Sequence, residues 1–248
     1  MAPHPKLAHK IFDVLRLTDV GSELLLFNGQ DGEWLAETVK TRQTQKRLRA
    51  GSFDLLIKEL HQTQTHPQFS LALFFPPLKP DPLSFLAEKA TELGATDFHP
   101  LFTDRTQGRN INLDRFYSMV HSACEQCGRL DVPKLHDPVH ISDLLANPKH
   151  LDVSDKGNAH ALSSLLVCDE RQVHAHSHKQ PLFAWLRSTK FVPNALMVGP
   201  EGGFSQAEFA LIDAHSLTTT VHVSQNILRA ETAALCGLSL LQAKLHSS

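Results

Sequence analysis

The chain is expected to fold as an α/β protein: a parallel sheet covered by helices on both faces, preceded by a small β domain. Two patterns and a junction carry this expectation. From residue 68 onward, short apolar runs alternate with segments of helical period, as in a parallel sheet whose strands are buried on both sides. Residues 1–64 instead show strand-like runs around a turn signal. The polar bridge HQTQTHP at 61–67 separates the two, so the expected domains are 1–64 and 68–248.

In the β domain, ELLLF at 23–27, the turn residues NGQDG at 28–32 and WLAETV at 34–39 make a hairpin, and SFDLLIKEL at 52–60 offers a further strand. The second domain opens on the apolar strand FSLALFF at 69–75. Asp81 and Pro82 then predict a helix start, with Leu86, Ala90 and Leu93 on one face and Gly94 at the exit. Strands follow near 98–102, 134–136, 164–168, 195–198 and 219–223. Helices are expected at 113–128, after Ser142, at 182–188 and beyond 224. Ligands in such sheets sit outside the carboxyl ends of the strands.

With 248 residues, 42% of them apolar, the chain can bury a sizeable core. A formal charge of −2 supplies no global attraction for nucleic acid, so RNA contact would need local basic patches. No apolar run is long enough to span a membrane, and the start MAPHPK lacks a signal-peptide core, so a cytoplasmic protein is expected. Cys124 and Cys127 form a CxxC pair, but a zinc site would want a second pair, and a redox motif would stand at a helix start rather than inside a helical pattern. His174, His176 and His178 read as a solvated loop. No metal is expected at either place.

The segment ALMVGPEGGFSQAEF at 195–209 is the most informative in the chain. An apolar run breaks into Gly199, Gly202 and Gly203, which permit positive φ and close approach to the backbone. Ser205 followed by Glu208 fits a capping box that starts the next helix. The spacing Gly-x-x-Gly-Gly matches neither the dinucleotide fingerprint nor a P-loop. Taken alone, it fits a ligand loop and a plain strand-to-helix turn equally well.

TTTVHV at 218–223 followed by SQNILRAETAAL at 224–235 breaks that tie. The pair resembles the C-terminal signature of the SPOUT methyltransferases, specifically the RsmE family, which methylates N3 of a uridine in small-subunit (16S) ribosomal RNA. EKATELGA at 88–95 and ACEQCGR at 123–129 resemble two further blocks of that family in the same order, and HKIFDVLRL at 9–17 is a weaker echo. The resemblance implies a C-terminal trefoil knot, a homodimer, a PUA-like RNA-handling β domain and the cofactor S-adenosylmethionine. It maps cofactor contacts onto Val198, Gly199, Pro200, Glu201, Gly202, Gly203, Val223, Ser224, Ile227, Leu228 and Ala233, with Ala234 leaving room beside them. Two departures stand out. Many relatives carry leucine-glycine where this chain has Val223 and Ser224, an added side chain that either narrows the cofactor pocket or points away from it, and the β domain is expected to lack its first strand.

Methylating uracil N3 requires loss of the N3 proton and stabilisation of negative charge on the uracil oxygens. Arg229 is the candidate for the second task, its alternatives being an ion pair with Glu231 or a phosphate contact. Glu201 and Glu231 are the carboxylates that could accept a proton or orient the adenosine hydroxyls. For RNA, Lys40, Arg42, Lys46, Arg47 and Arg49 lie in KTRQTQKRLR with no acidic residue among them, a pattern that also suits a solvated basic loop. Arg105, Arg109 and Arg129 are further phosphate candidates. Two rival readings remain at this level: a nucleotide- or phosphate-binding α/β protein, and a non-catalytic RNA-binding ribosome-assembly factor.

Overall fold

A computed structural model of the chain describes residues 5–17, 19–40, 53–107, 110–147, 164–169, 171, 181–190 and 193–246. The chain divides into two compact units, Met1–His66 and Pro67–Ser248.

The first unit opens with a helical segment that strand patterning did not predict: α1 (Pro5–His9) runs into a π-helical turn at Lys10–Val14. Ala8 and Ile11 from this segment are buried against Phe53 and Leu55, with Leu24 and Leu26 packed alongside. The short helix is thus held by tertiary burial, since so few residues cannot sustain a helix alone. Strands β1 (Glu23–Phe27), β2 (Glu33–Lys40) and β3 (Phe53–Gln62) form an antiparallel sheet in the order β1-β2-β3. Asn28 closes the predicted hairpin turn, its Oδ1 accepting from the backbone N–H of Gln30 and Asp31.

The second unit is built on a seven-stranded sheet. Its described strands are β4 (Ala72–Phe75), β5 (Asp97–Phe102), β6 (Lys134–Leu135), β7 (Val139–His140), β8 (Leu165–Cys168), β9 (Ala195–Met197) and β10 (Thr218–Val221). Their order is β10-β8-β9-β4-β5-β6, with β7 also on β5, and every pairing is parallel. The helices are α2 (Pro80–Glu92), α3 (Leu113–Cys127), α4 (Ile141–Ala146), α5 (Leu182–Ser188), α6 (Gln206–Ala214) and α7 (Ala230–Leu245). Helix α2 begins two residues earlier than expected. Pro80 takes the first helical position after Lys79, so Asp81 lies within the first turn and is not the cap.

Both sheet faces are buried, because successive strand side chains point to opposite sides. Ala72, Phe74, Val167, Ala195 and Met197 share one core with Ile141, Leu144 and Leu145 of α4 and Phe209 and Ile212 of α6. On the other face Phe75 stacks on Phe116 of α3 with centroids 5.1 Å apart, and Phe98 meets the same ring edge-on. Helix α7 approaches that face through Gly237, where an added Cβ would lie 2.5 Å from Leu196 Cδ2. The sheet grows from β4 through β5 to β6, then the chain crosses to the far side, where β9 lies between β4 and β8. Sheets that reverse in this way leave a crevice at the carboxyl ends of the strands flanking the switch.

Candidate functional site

A pocket of about 250 Å³ opens at the carboxyl ends of β8, β9 and β10, near the lower bound for small-molecule sites. Three neighbouring strand ends build it: Cys168 and Asp169 after β8, Val198 to Glu201 after β9, and His222 to Ser224 after β10. Asn226 to Ala230 and Ala233, leading into and along α7, close the remaining side.

Of the residues expected from sequence, Val198, Gly199, Pro200, Glu201, Gly203, Val223, Ser224, Ile227, Leu228, Ala233 and Arg229 all line this one pocket. Gly202 does not; its carbonyl accepts a 2.9 Å bond from Arg105 Nη1. Ala234 is fully buried behind the lining. Glu231 is also outside the lining. It sits half-buried in the first turn of α7, where a carboxylate interacts favourably with the helix dipole. Arg229 is exposed at the N-cap of α7, with no ion pair to Glu231 or any other described residue. Its backbone sets the helix start while its guanidinium stays open to a ligand.

The glycine loop uses its glycines differently from expectation. Only Gly203 has a positive φ, 67°. At Gly199 an added Cβ would lie 2.9 Å from Phe204 Cε2, and Phe204 is buried, so the space is taken by the protein's own ring. The predicted capping box forms in full: Ser205 Oγ accepts from Glu208 N, and Glu208 Oε2 accepts from Ser205 N. Glu208 is buried, and its other oxygen accepts from Asp104 N at 2.8 Å, while Ser205 Oγ donates to Asp104 Oδ2 at 2.7 Å. With the Arg105 bond to Gly202, these contacts lash the loop after β5 to the pocket loop after β9. Ser224, the departure from the family pattern, turns its hydroxyl to accept from Asn226 N at 3.0 Å, so the added side chain closes a turn.

Sequence reasoning missed Cys168, Asp169, His222, Asn226 and Ala230. Asp169 and His222 directly follow the carboxyl ends of β8 and β10, and that position is the signal that marks them. Asp169 is buried, and its carboxylate is held by Arg171, with Nε and Nη2 donating at 3.0 and 2.8 Å. The Arg171 guanidinium lies over the Phe209 ring, 3.3 Å from its centroid. The hydrogen bonds to Asp169 hold Arg171 above its ordinary pKa range, so a charged pair backs the pocket floor.

The expected RNA contacts fare unevenly. Arg129 is spent elsewhere: its Nη1 donates to the carbonyls of Thr91 and Ala95 at 2.7 and 3.0 Å, and its Nη2 pairs with Asp131. With 15% of its side chain exposed it ties together the exits of α2 and α3, which corrects its expected role at phosphate. Arg105 is exposed but shares its guanidinium with the glycine loop. Lys40 ends β2 and is exposed. Arg42, Lys46, Arg47, Arg49 and Arg109 lie outside the described residues, as do His174, His176 and His178. Cys124 is buried in α3, and burial pushes its thiol up to about 11, while Cys127 is exposed. The raised, buried thiol of Cys124 does not suit a reactive pair.

Comparison with known proteins fits this geometry. The family model of the RNA methyltransferase domain matches residues 64–242. The ribosomal RNA small subunit methyltransferase E of Rickettsia conorii is 31% identical over 234 residues, covering 93% of this chain and 84% of that protein. The crystal structure of the enzyme of the same name from Neisseria gonorrhoeae, bound to S-adenosyl methionine, superposes with a TM-score of 0.70 at 25% identity, covering 97% of this chain and 90% of that one. A protein from Legionella pneumophila solved with the bound cofactor SAM gives a TM-score of 0.73 at 26% identity over 97% of this chain and 90% of that one. The chain belongs to the ribosomal RNA small subunit methyltransferase E family of RNA methyltransferases.

Proposed function

We propose that this chain methylates N3 of a uridine in 16S ribosomal RNA, using S-adenosylmethionine, within the small ribosomal subunit and therefore in the cytoplasm. The observation that carries the reading is the pocket at three adjacent strand ends, which joins main chain, small side chains and one guanidinium that has no ion pair among the described residues. Its lining fits the cofactor: Val198, Ile227, Leu228 and Ala233 offer apolar surface to a flat adenine, and the backbone of Gly199, Pro200, Glu201 and Gly203 offers polar groups to its edge. S-adenosylmethionine, when bound, supplies an electrophilic methyl group.

The protein's own work is to position the base and hold the charge that appears when N3 loses its proton. Arg229 takes the uracil oxygens, because a guanidinium stays charged and offers several donors in a fixed plane. Glu201, exposed on the pocket rim, is the carboxylate in reach of a proton or of ribose hydroxyls. The segment from Ser224 into α7 is read as the threaded part of a trefoil knot, the first unit as a PUA-like RNA-binding domain, and the active species as a homodimer. The antiparallel sheet and the family membership support these assignments.

The test is methyl incorporation from labelled S-adenosylmethionine into small subunits that lack the modification, followed by nucleoside analysis. The expected product is 3-methyluridine. A different methylated nucleoside would overturn the N3 assignment, and absence of both incorporation and cofactor binding would favour an RNA-binding assembly factor.

A further inference from the structure

A second cluster of chemistry lies on β5, away from the pocket. Asp97 and His99 are two residues apart on that strand and so share a sheet face. The β5–β6 register pairs Phe98 with Leu135, and His136 follows in line, its backbone N–H donating to the Phe98 carbonyl at 2.9 Å. The rings of Phe74, His99 and His136 therefore stack across three strands, with centroid separations of 4.3 and 3.9 Å. His136 Nε2 lies 2.8 Å from Asp97 Oδ1, and Asp97 Oδ2 accepts from Thr96 Oγ1 at 2.7 Å. Asp97 and His99 are each 5% exposed.

His99 Nε2 is buried with no hydrogen-bond partner. Buried ring nitrogens are normally satisfied, so an orphan beside a carboxylate and a second imidazole calls for a ligand. Each of the three residues offers one donor atom, and those atoms lie within 4.8 Å of one another. We propose that Asp97, His99 and His136 form a binding site for a divalent transition ion of the zinc class.

Two imidazoles and one carboxylate are a nitrogen-rich set that suits zinc, cobalt or nickel, whereas calcium and magnesium require oxygen ligands. Without an ion, the Asp97–His136 bond holds the two rings face to face. Binding exchanges that bond for metal bonds, and His136, with 34% of its side chain exposed, is the ring with room to turn and the path by which the ion enters. Asp97 is the first residue of β5, so the site stands at the end of the sheet opposite the pocket and pins the two-residue strand β6. The other grouping of this kind, Asp104, His140 and Glu208, is less suited, because Glu208 already accepts two backbone N–H groups.

The experiment is titration of the chelator-treated full-length protein with cobalt, followed by zinc. The expected result is a single equivalent of cobalt with the visible absorption of a four-coordinate site, displaced by zinc. Affinity should weaken by about tenfold or more in both His99→Phe and Asp97→Asn. Phenylalanine keeps the stack on Phe74, and asparagine keeps a partner for Thr96 and His136, so both variants retain their packing, which circular dichroism checks. Absence of the cobalt spectrum in the unaltered protein, or equal affinity in both variants, would overturn the proposal and assign any bound ion to other histidines.

Discussion

His99 holds the one buried side-chain nitrogen without a hydrogen-bond partner among the described residues. In metal-free protein, His99→Phe removes that orphan while keeping an aromatic ring between Phe74 and His136, and is expected to stabilise the fold by about 1–2 kcal/mol in urea unfolding. The same ring sets a pH dependence. Its pKa falls from the ordinary 6.5 to about 3, chiefly through burial, so the fold accepts the neutral form. The stability tied to that form is complete above about pH 6.5 and lost as pH falls toward 3. Unfolding curves across this window should therefore be steeper in pH for the unaltered protein than for His99→Phe; equal slopes would contradict the assignment. At the pocket, Arg229→Ala is expected to lower kcat for methyl transfer by about 10²-fold or more while cofactor affinity changes little. Arg229→Lys should not restore the rate, because an ammonium lacks the planar fork. Full activity in Arg229→Ala would remove its role and leave the family membership intact.

Helix α7 and strand β9 meet where Gly237 faces Leu196, which is fully buried. Alanine at position 237 would gain about 1 kcal/mol of helix propensity, but its Cβ would have to displace a packed leucine methyl at a cost of about 1–3 kcal/mol. Gly237→Ala is thus expected to lower the urea midpoint, and adding Leu196→Val should recover part of the loss. The elements themselves were largely readable. Helix α5 begins at Leu182 and ends at Ser188 as its pattern predicts, and the Ser205–Glu208 box starts α6 as its spacing predicts, because capping and periodicity are local properties of the chain. The opening helix was not readable. Ala8 and Ile11 are helical because Phe53 and Leu55, more than forty positions away, bury them, and a local pattern carries no such information.

At the scale of the whole molecule, a formal charge of −2 leaves RNA affinity to local cations. Reversing Lys46, Arg47 and Arg49 to acidic residues is expected to weaken RNA binding and flatten its dependence on salt, since fewer counterions would be released; unchanged affinity would free the patch of this role. Among the described residues no helix is long and apolar enough to cross a membrane. The amino-acid sequence by itself determined the alternation of strands and helices, the glycine loop with its capping box and the family to which the blocks belong, all properties of residues close together in the chain. Only the tertiary structure decided the strand order. That order sets Asp169 and His222 beside Val198, confines Gly199 against Phe204, turns Arg129 away from solvent and stacks His99 on His136. Each of these depends on which parallel strands and helices become neighbours, and that is selected by burial over the whole sheet rather than by any segment's own pattern.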